Sequence, residues 1–407
     1  MFKILSPNFF KFLGSEVITR AFPFIVTLYI ASLLGTSLFG EFILYWTLAE
    51  VILIIVSFNI QSTTRVYFFT KTKDELSKIA FFQLSICILL SLSLFIFFFL
   101  ISYLQLFSFN LEVAAIIILA SIFRSLSNYA LSIFQCNKKP NYFLITNLTY
   151  VLINSFTLLL FLNPQNFLFV WSISMLISAI AQCLVSLPKV INYLDINNRS
   201  SINKAEVLSF TFFYYPQTIS WMLKPTFERI AIISILGASY LGQYGLATQI
   251  SSMLLLFAGV INLVTLPDLN KTLLERNFDQ TKRIFRKIYL LLLPSIAFVL
   301  FGGVYFIDNY YDYQYKYSGE ILPLFVLSIL PHLMVIVKTP VLYFFEDSKY
   351  VAFSVMLTFT LYGICIYLIQ DFLTIERILL LAFLANTVLM IAIETKVIKK
   401  MKMNKDV

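Results

Sequence analysis

Residues 235–247 read ILGASYLGQYGLA, and residues 33–45 read LLGTSLFGEFILY. Displaced by 202 positions, windows 23–44 and 225–246 agree at eight of 22 places: Pro23/Pro225, Ile30/Ile232, Ser32/Ser234, Leu34/Leu236, Gly35/Gly237, Ser37/Ser239, Gly40/Gly242 and Leu44/Leu246. Apolar helices share Leu and Ile by chance, but a proline and two glycines in register mark an internal repeat. Each copy reads as a helix, a glycine turn and the start of a second helix. Gly35 and Gly237 are placed to supply left-handed caps, and Gly40 and Gly242 to let backbones approach closely.

The composition names the solvent. Of 407 residues 59% are hydrophobic and 13% charged, with mean hydropathy +0.86. A water-facing exterior excludes such a balance, whereas a bilayer accepts it. Apolar runs of spanning length predict helices at about 10–34, 40–64, 79–104, 113–135, 141–162 and 167–187, then at about 208–236, 242–266, 284–307, 320–345, 350–370 and 373–394. The first run lacks a small-residue cleavage site and reads as a retained span. The expected architecture is an all-α integral membrane protein. Twelve transmembrane helices form two pseudo-symmetric six-helix lobes around a central cavity: 1–190, a cytoplasmic linker 191–206, and 207–407 with a basic tail. The repeat distance crosses six helices, an even number, so both copies keep one orientation about an axis along the membrane normal.

With the N-terminus inside, 23 Lys and Arg fall in cytoplasmic segments, and only Lys316 and Arg377 on the other side. The net charge of +9 is therefore membrane topology and attraction to anionic lipid heads, and it calls for no nucleic acid. The cysteines, Cys87, Cys136, Cys183 and Cys365, fit no metal spacing and read as small packing residues. There is no catalytic constellation and no outer catalytic loop, so the chain reads as no enzyme, with no cofactor or metal.

Charges inside the spans are expensive, which makes them functional candidates. The cations are Arg20, Arg124, Lys224, Arg229 and Lys338, against Glu16, Glu50 and Glu228. Glu16 with Arg20, and Lys224 with Glu228, stand four apart on one helix and can pair. Arg124, Arg229 and Lys338 have no partner on their own helix, and Glu50 could meet one of them from another helix. The surplus is cationic, and guanidinium geometry suits phosphate, so an anionic head group such as pyrophosphate is expected in the cavity. Pro23 and Pro225 lie inside the first helix of each lobe and, with Gly35 and Gly237, are candidate hinges. His332, the only histidine, lies in a helix broken by Pro323, Pro331 and Pro340. It is either a packed side chain or a proton-coupling group.

The residues Glu16-Val-Ile-Thr-Arg20, Ala31-Ser-Leu-Leu-Gly35 and Leu38-Phe39-Gly40-Glu41-Phe42 resemble the opening of Wzx-type O-antigen and polysaccharide flippases. These belong to the multidrug/oligosaccharidyl-lipid/polysaccharide exporter superfamily. Pro216, Glu228-Arg229, Leu236-Gly237-Ala238, Leu241-Gly242-Gln243-Tyr244 and Leu266-Pro267 repeat the resemblance, while Ser32 stands where that family often has Arg. The resemblance implies a flippase moving undecaprenyl-pyrophosphate-linked oligosaccharide, an O-antigen or other surface polysaccharide unit, across a bacterial inner membrane by alternating access. It implies Arg20 and Arg229 as receivers of the pyrophosphate, with Arg65, Arg124, Lys224 and Lys338 next. It implies membrane lipids as surroundings and polysaccharide polymerase or chain-length machinery as candidate partners. A multidrug or cation exporter of the same superfamily, or a membrane enzyme of the same glycan pathway, are the alternatives. The exporter would call for cavity carboxylates, and the enzyme for an outer catalytic loop.

Overall fold

One glycine divides the first long helix. Helix α1 runs Pro7–Ser57, but Gly35 sits at φ 67° and ψ 174°, a region that L side chains scarcely enter. Gly237 repeats the feature at φ 97° and ψ 170°, directly before α8 (Ala238–Leu274). Neither has the ψ of a left-handed cap, so the turn is a sharp extended break between two helices. The expectation of a cap is corrected on that point. The requirement for glycine stands.

The computed structural model describes residues 7–105, 110–161, 163–193, 202–345 and 347–403. All regular structure among the described residues is helical. After α1 come α2 (Ile60–Thr70), α3 (Lys73–Tyr103), α4 (Leu111–Cys136), α5 (Pro140–Leu160), α6 (Phe167–Ser186) and α7 (Lys204–Ile235). Beyond α8 lie α9 (Phe278–Ala297), α10 (Gly303–Tyr310), α11 (Lys316–Phe344), α12 (Ser348–Leu368) and α13 (Ile375–Met403). Ten stretches among the described residues are long and apolar enough to cross a membrane, and the protein is a multi-pass membrane protein. One of the ten, Ala21–Thr70, contains the Gly35 break; α7, with 32 residues, is not among them.

Local chemistry sets the helix ends. Thr72 and Glu75 form a capping box at the start of α3, and Asn110 Oδ1 accepts the Glu112 and Val113 amides of α4. Pro140 opens α5, where no intrahelical N–H is needed.

The chain divides into two compact units: residues 1–27 with 45–219, and residues 28–44 with 220–407. In the first, α4 packs on α6, and both helices bury small residues: Ser121 and Ser125 on one, Ser172, Ser174, Ser178 and Ala179 on the other. In a bilayer apolar surface gains nothing by leaving lipid, so small residues that permit close van der Waals packing drive such contacts. Each serine hydroxyl donates back to its own helix, for example Ser121 to the Ile117 carbonyl and Ser125 to that of Ser121, both at 2.8 Å. Ile60, Tyr67, Leu76, Ile79, Tyr129, Ile133, Phe134 and Phe143 form one buried apolar cluster drawn from α2, α3, α4 and α5.

In the second unit α11 is central, packed on α8 and α13. It carries Pro323, Pro331 and Pro340 inside a 29-residue helix. A proline frees the carbonyl four residues earlier, and in lipid that oxygen needs another donor. For Pro340 the freed oxygen is that of Ile336, and Asn262 Nδ2 of α8 donates to it at 3.2 Å. Asn386 Nδ2 of α13 donates to Ser328 O of α11 at 2.8 Å, a further tie between these two helices.

Candidate functional site

The two copies of the repeat meet inside the second unit. A Cβ placed on Gly40 would stand 1.9 Å from the Ala238 carbonyl oxygen, and one on Gly242 1.9 Å from that of Thr36. Thr36 and Ala238 are themselves equivalent under the 202-residue displacement. The two contacts are therefore one contact made twice, the signature of a local two-fold. Thr36 Oγ1 and Ser239 Oγ hydrogen-bond at 2.8 Å beside them. The Gly35 break strands the Ala31 carbonyl without its intrahelical amide, and the Tyr315 hydroxyl donates to it at 2.8 Å. The Tyr311 hydroxyl donates to Leu28 O at the same distance. Tyr311 lies in the turn between α10 and α11, and burial raises its pKa, which keeps the donor protonated. The close approach expected of Gly40 and Gly242 is what the backbone makes.

Charge is organised within each unit. In the second, Glu228 of α7 is 3% exposed. Its Oε1 faces Lys224 Nζ at 2.9 Å and accepts the Tyr362 hydroxyl at 2.7 Å; its Oε2 accepts the Tyr244 hydroxyl at 2.7 Å. One carboxylate thereby ties α7 to α8 and α12. Trp221 stands edge-on to His332, ring centres 5.2 Å apart, and His332 Nδ1 is buried without a hydrogen-bond partner among the described residues. Lys338 of α11 forms an ion pair with Glu394 of α13. In the first unit Arg124 Nη1 lies 3.7 Å from Glu50 Oε1, and its guanidinium carbon stands 4.5 Å over the Tyr150 ring.

Three of the five cations expected in the spans are paired. Lys224 pairs on its own helix, and Arg124 and Lys338 find carboxylates on other helices. Glu394 lies within α13, which continues past it to Met403. Arg229 is half-buried, with Nε buried and making no hydrogen bond, although the residue does not stand alone. Arg65 is exposed on α2, and Pro23 and Pro225 are half-buried within α1 and α7. The side chains of Glu16, Arg20, Tyr214, Pro216 and Pro267 lie outside the described residues.

Residues 5–273 match the family model described as polysaccharide biosynthesis protein. The chain belongs to this family. No curated protein matches it by sequence. Its fold is similar to those of solved multi-pass transporters. An inward-facing multidrug resistance MATE family transporter superposes with TM-score 0.78 at 11% identity, covering 96% of both chains. The lipid II flippase MurJ, in an inward closed conformation, gives 0.73 at 14% identity over 95% of this chain and 87% of its own. A MOP superfamily transporter from Pyrococcus furiosus with a binding pocket of reverse polarity gives 0.66 at 13% over 98% and 94%.

In this polysaccharide biosynthesis protein the sequence reading missed Tyr150, Tyr244, Tyr362, Glu394 and Asn262. A buried carboxylate must be given several donors, so Glu228 signalled that donors exist, but nothing in the spacing said which tyrosines. Asn262 had a sharper signal, because Pro340 demands a donor for Ile336 O.

Proposed function

We propose that the protein is a flippase for undecaprenyl-pyrophosphate-linked oligosaccharide, an O-antigen or related surface polysaccharide unit, in a bacterial inner membrane. The observation that carries this reading is the match of residues 5–273 to the polysaccharide biosynthesis family, on a chain whose fold is similar to those of solved multi-pass transporters. Twelve spans are read by dividing Ala21–Thr70 at Gly35 and adding α7 to the ten. The termini are cytoplasmic, the halves are 1–190 and 207–407 joined by 191–206, and the substrate crosses by alternating access through a central cavity. Polymerase and chain-length machinery take the product.

The ion pairs narrow the substrate contacts. Arg124, Lys224 and Lys338 already hold carboxylates, and displacing these would cost what the pyrophosphate gains. By the family resemblance the pyrophosphate is received by Arg229 and Arg20, and Glu50, Glu228 and Glu394 hold Arg124, Lys224 and Lys338. His332 packs on Trp221 at the Lys224 end of this cluster and is assigned to coupling only if protonation changes transport.

The test is surface glycan staining in cells whose own flippase is deleted. Arg229→Ala is expected to abolish display with normal membrane insertion, and Arg229→Lys to restore part of it, since Lys offers charge without the two-pronged geometry. Full display by Arg229→Ala and Arg20→Ala would remove both residues from the substrate path.

A further inference from the structure

We propose that a groove between α10 and α11 holds a membrane phospholipid with a primary ammonium head group, and that Asp308 binds that ammonium. The lipid is no part of the transport path proposed above, from which only its leaflet, the outer one, is taken.

The groove arises from an irregular helix. A single π-turn, Phe298–Gly302, joins α9 to α10. Such a turn adds a residue to the helical circuit and swings the residues beyond it to a new face. Gly303 then approaches α11 so closely that a Cβ there would stand 2.7 Å from Leu322 Cδ2. Beside this contact a groove of about 530 Å³ opens. Phe301, Val304 and Pro323 give it apolar walls, and Tyr305, Asp308 and Asn309 give it a polar end. Phe301 is 78% exposed and Tyr305 66%, so the groove opens sideways to lipid. Phe301 and Asn309 are eight residues apart, about 12 Å of helix. That length suits a head group with the first carbons of an acyl chain below it. The same span begins at Phe278 and carries Lys282, Arg283, Arg286 and Lys287 near that start, so the polar end of the groove faces the opposite membrane surface.

The charge at the polar end selects the head group. The Asp308 side chain is exposed and makes no ion pair or hydrogen bond among the described residues. Its Oδ1 is settled over Gly319 of α11, where a Cβ would stand 3.4 Å from it. Lys316, at the start of α11, stands over the Tyr313 ring instead, Nζ 5.5 Å from its centre. Asn309 Nδ2 donates to Tyr305 O at 2.7 Å, which fixes the amide. The Tyr305 hydroxyl has no partner among the described residues and is left as a donor for a lipid phosphate. A primary ammonium brings three N–H donors to a carboxylate, whereas the trimethylammonium of choline brings none. Phosphatidylglycerol or a polyprenyl pyrophosphate would meet the carboxylate as like charges. Phosphatidylethanolamine is the head group that complements this end.

Phe301→Trp puts a fluorescent reporter in the groove of the full chain, reconstituted in phosphatidylcholine. Lipids with brominated acyl chains quench a tryptophan they touch, and the protein with only its own three tryptophans gives the background. Brominated phosphatidylethanolamine should quench the reporter at a mole fraction about three to ten times lower than brominated phosphatidylcholine, the strength of one solvent-reached charged bond. Asp308→Asn should make the two lipids equal. Asp371→Asn, an exposed carboxylate in the turn before α13 that does not line the groove, should keep the preference. Equal quenching with Asp308 intact, a preference that survives Asp308→Asn or is lost in Asp371→Asn, or stronger quenching by brominated phosphatidylglycerol would each overturn the proposal. A second measurement leaves the wall unaltered. Native mass spectrometry of protein extracted in dodecyl maltoside should find phosphatidylethanolamine retained, and several-fold less of it on Asp308→Asn; equal retention would overturn the proposal as well. Neither readout involves glycan display, so failure here leaves the flippase reading standing, and the reverse holds too.

Discussion

Glu228 offers a quantitative test of how the second unit is held together. Glu228→Gln keeps the shape of the side chain but removes the charge that faces Lys224 at 2.9 Å and two phenols at 2.7 Å. Removing one partner of a buried ion pair costs about 3–5 kcal/mol. Lys224 keeps 18% of its side chain exposed against 4% for Glu228, which moves the expected figure toward about 3 kcal/mol. Each tyrosine exchanges a bond to a charged acceptor, about 1.5–3 kcal/mol, for a neutral one of about 0.5–1.5 kcal/mol. The single variant should therefore lose about 5–6 kcal/mol. Lys224→Met in the same background removes the stranded cation, and the double variant should be more stable than Glu228→Gln alone. Unfolding by sodium dodecyl sulfate in mixed micelles, followed by tryptophan fluorescence, reads all four corners of the cycle. Costs that add to within about 0.5 kcal/mol would mean that lysine and carboxylate are not coupled, and the node would be a coincidence of packing.

Other perturbations address separate features. Asn262→Leu should cost about 1–3 kcal/mol, because Ile336 O loses its donor, and Pro340→Ala in that background should recover stability by returning the helix amide; no recovery would mean that the asparagine serves something else. Gly237→Ala should cost about 1–3 kcal/mol from its positive φ alone, since its Cβ would meet nothing within 4 Å, whereas Gly259→Ala should be neutral or slightly stabilising; equal melting temperatures would deny the strain. Arg124→Ala should destabilise the first unit more than Arg124→Lys, which still neutralises Glu50 but loses the plane over Tyr150; identical melting would leave the stacking without weight.

What could be read from the sequence follows from the range of the interaction. Helices were legible because composition and length fix them: the expected 167–187 and 350–370 are observed at Phe167–Ser186 and Ser348–Leu368. Lys224–Glu228 was legible because four residues on a helix is a fixed geometry. The glycine contact was legible because a repeat announces equivalent positions, and glycine beside glycine implies bare backbone. The Lys338–Glu394 pair was not legible, and Glu50–Arg124 only as one of three possible partners for Glu50. They join different helices, and their register depends on packing by residues that are interchangeable on any hydropathy scale. Glu394 was lost for a simpler reason, because the apolar run fades there while α13 continues as a helix rich in lysine.

The placement of residues 28–44 has a consequence for biosynthesis. Thr36 and Ser239 are 203 residues apart in the chain, and a ribosome adding about 5–20 residues per second needs roughly 10–40 s to cover that interval. Throughout it, the first helical hairpin sits in the membrane with the Gly40 backbone face unmated. The N-terminal half of a nascent chain is thus unfinished until the C-terminal half is translated, and an insertase or chaperone that shields glycine faces would find its client in that window.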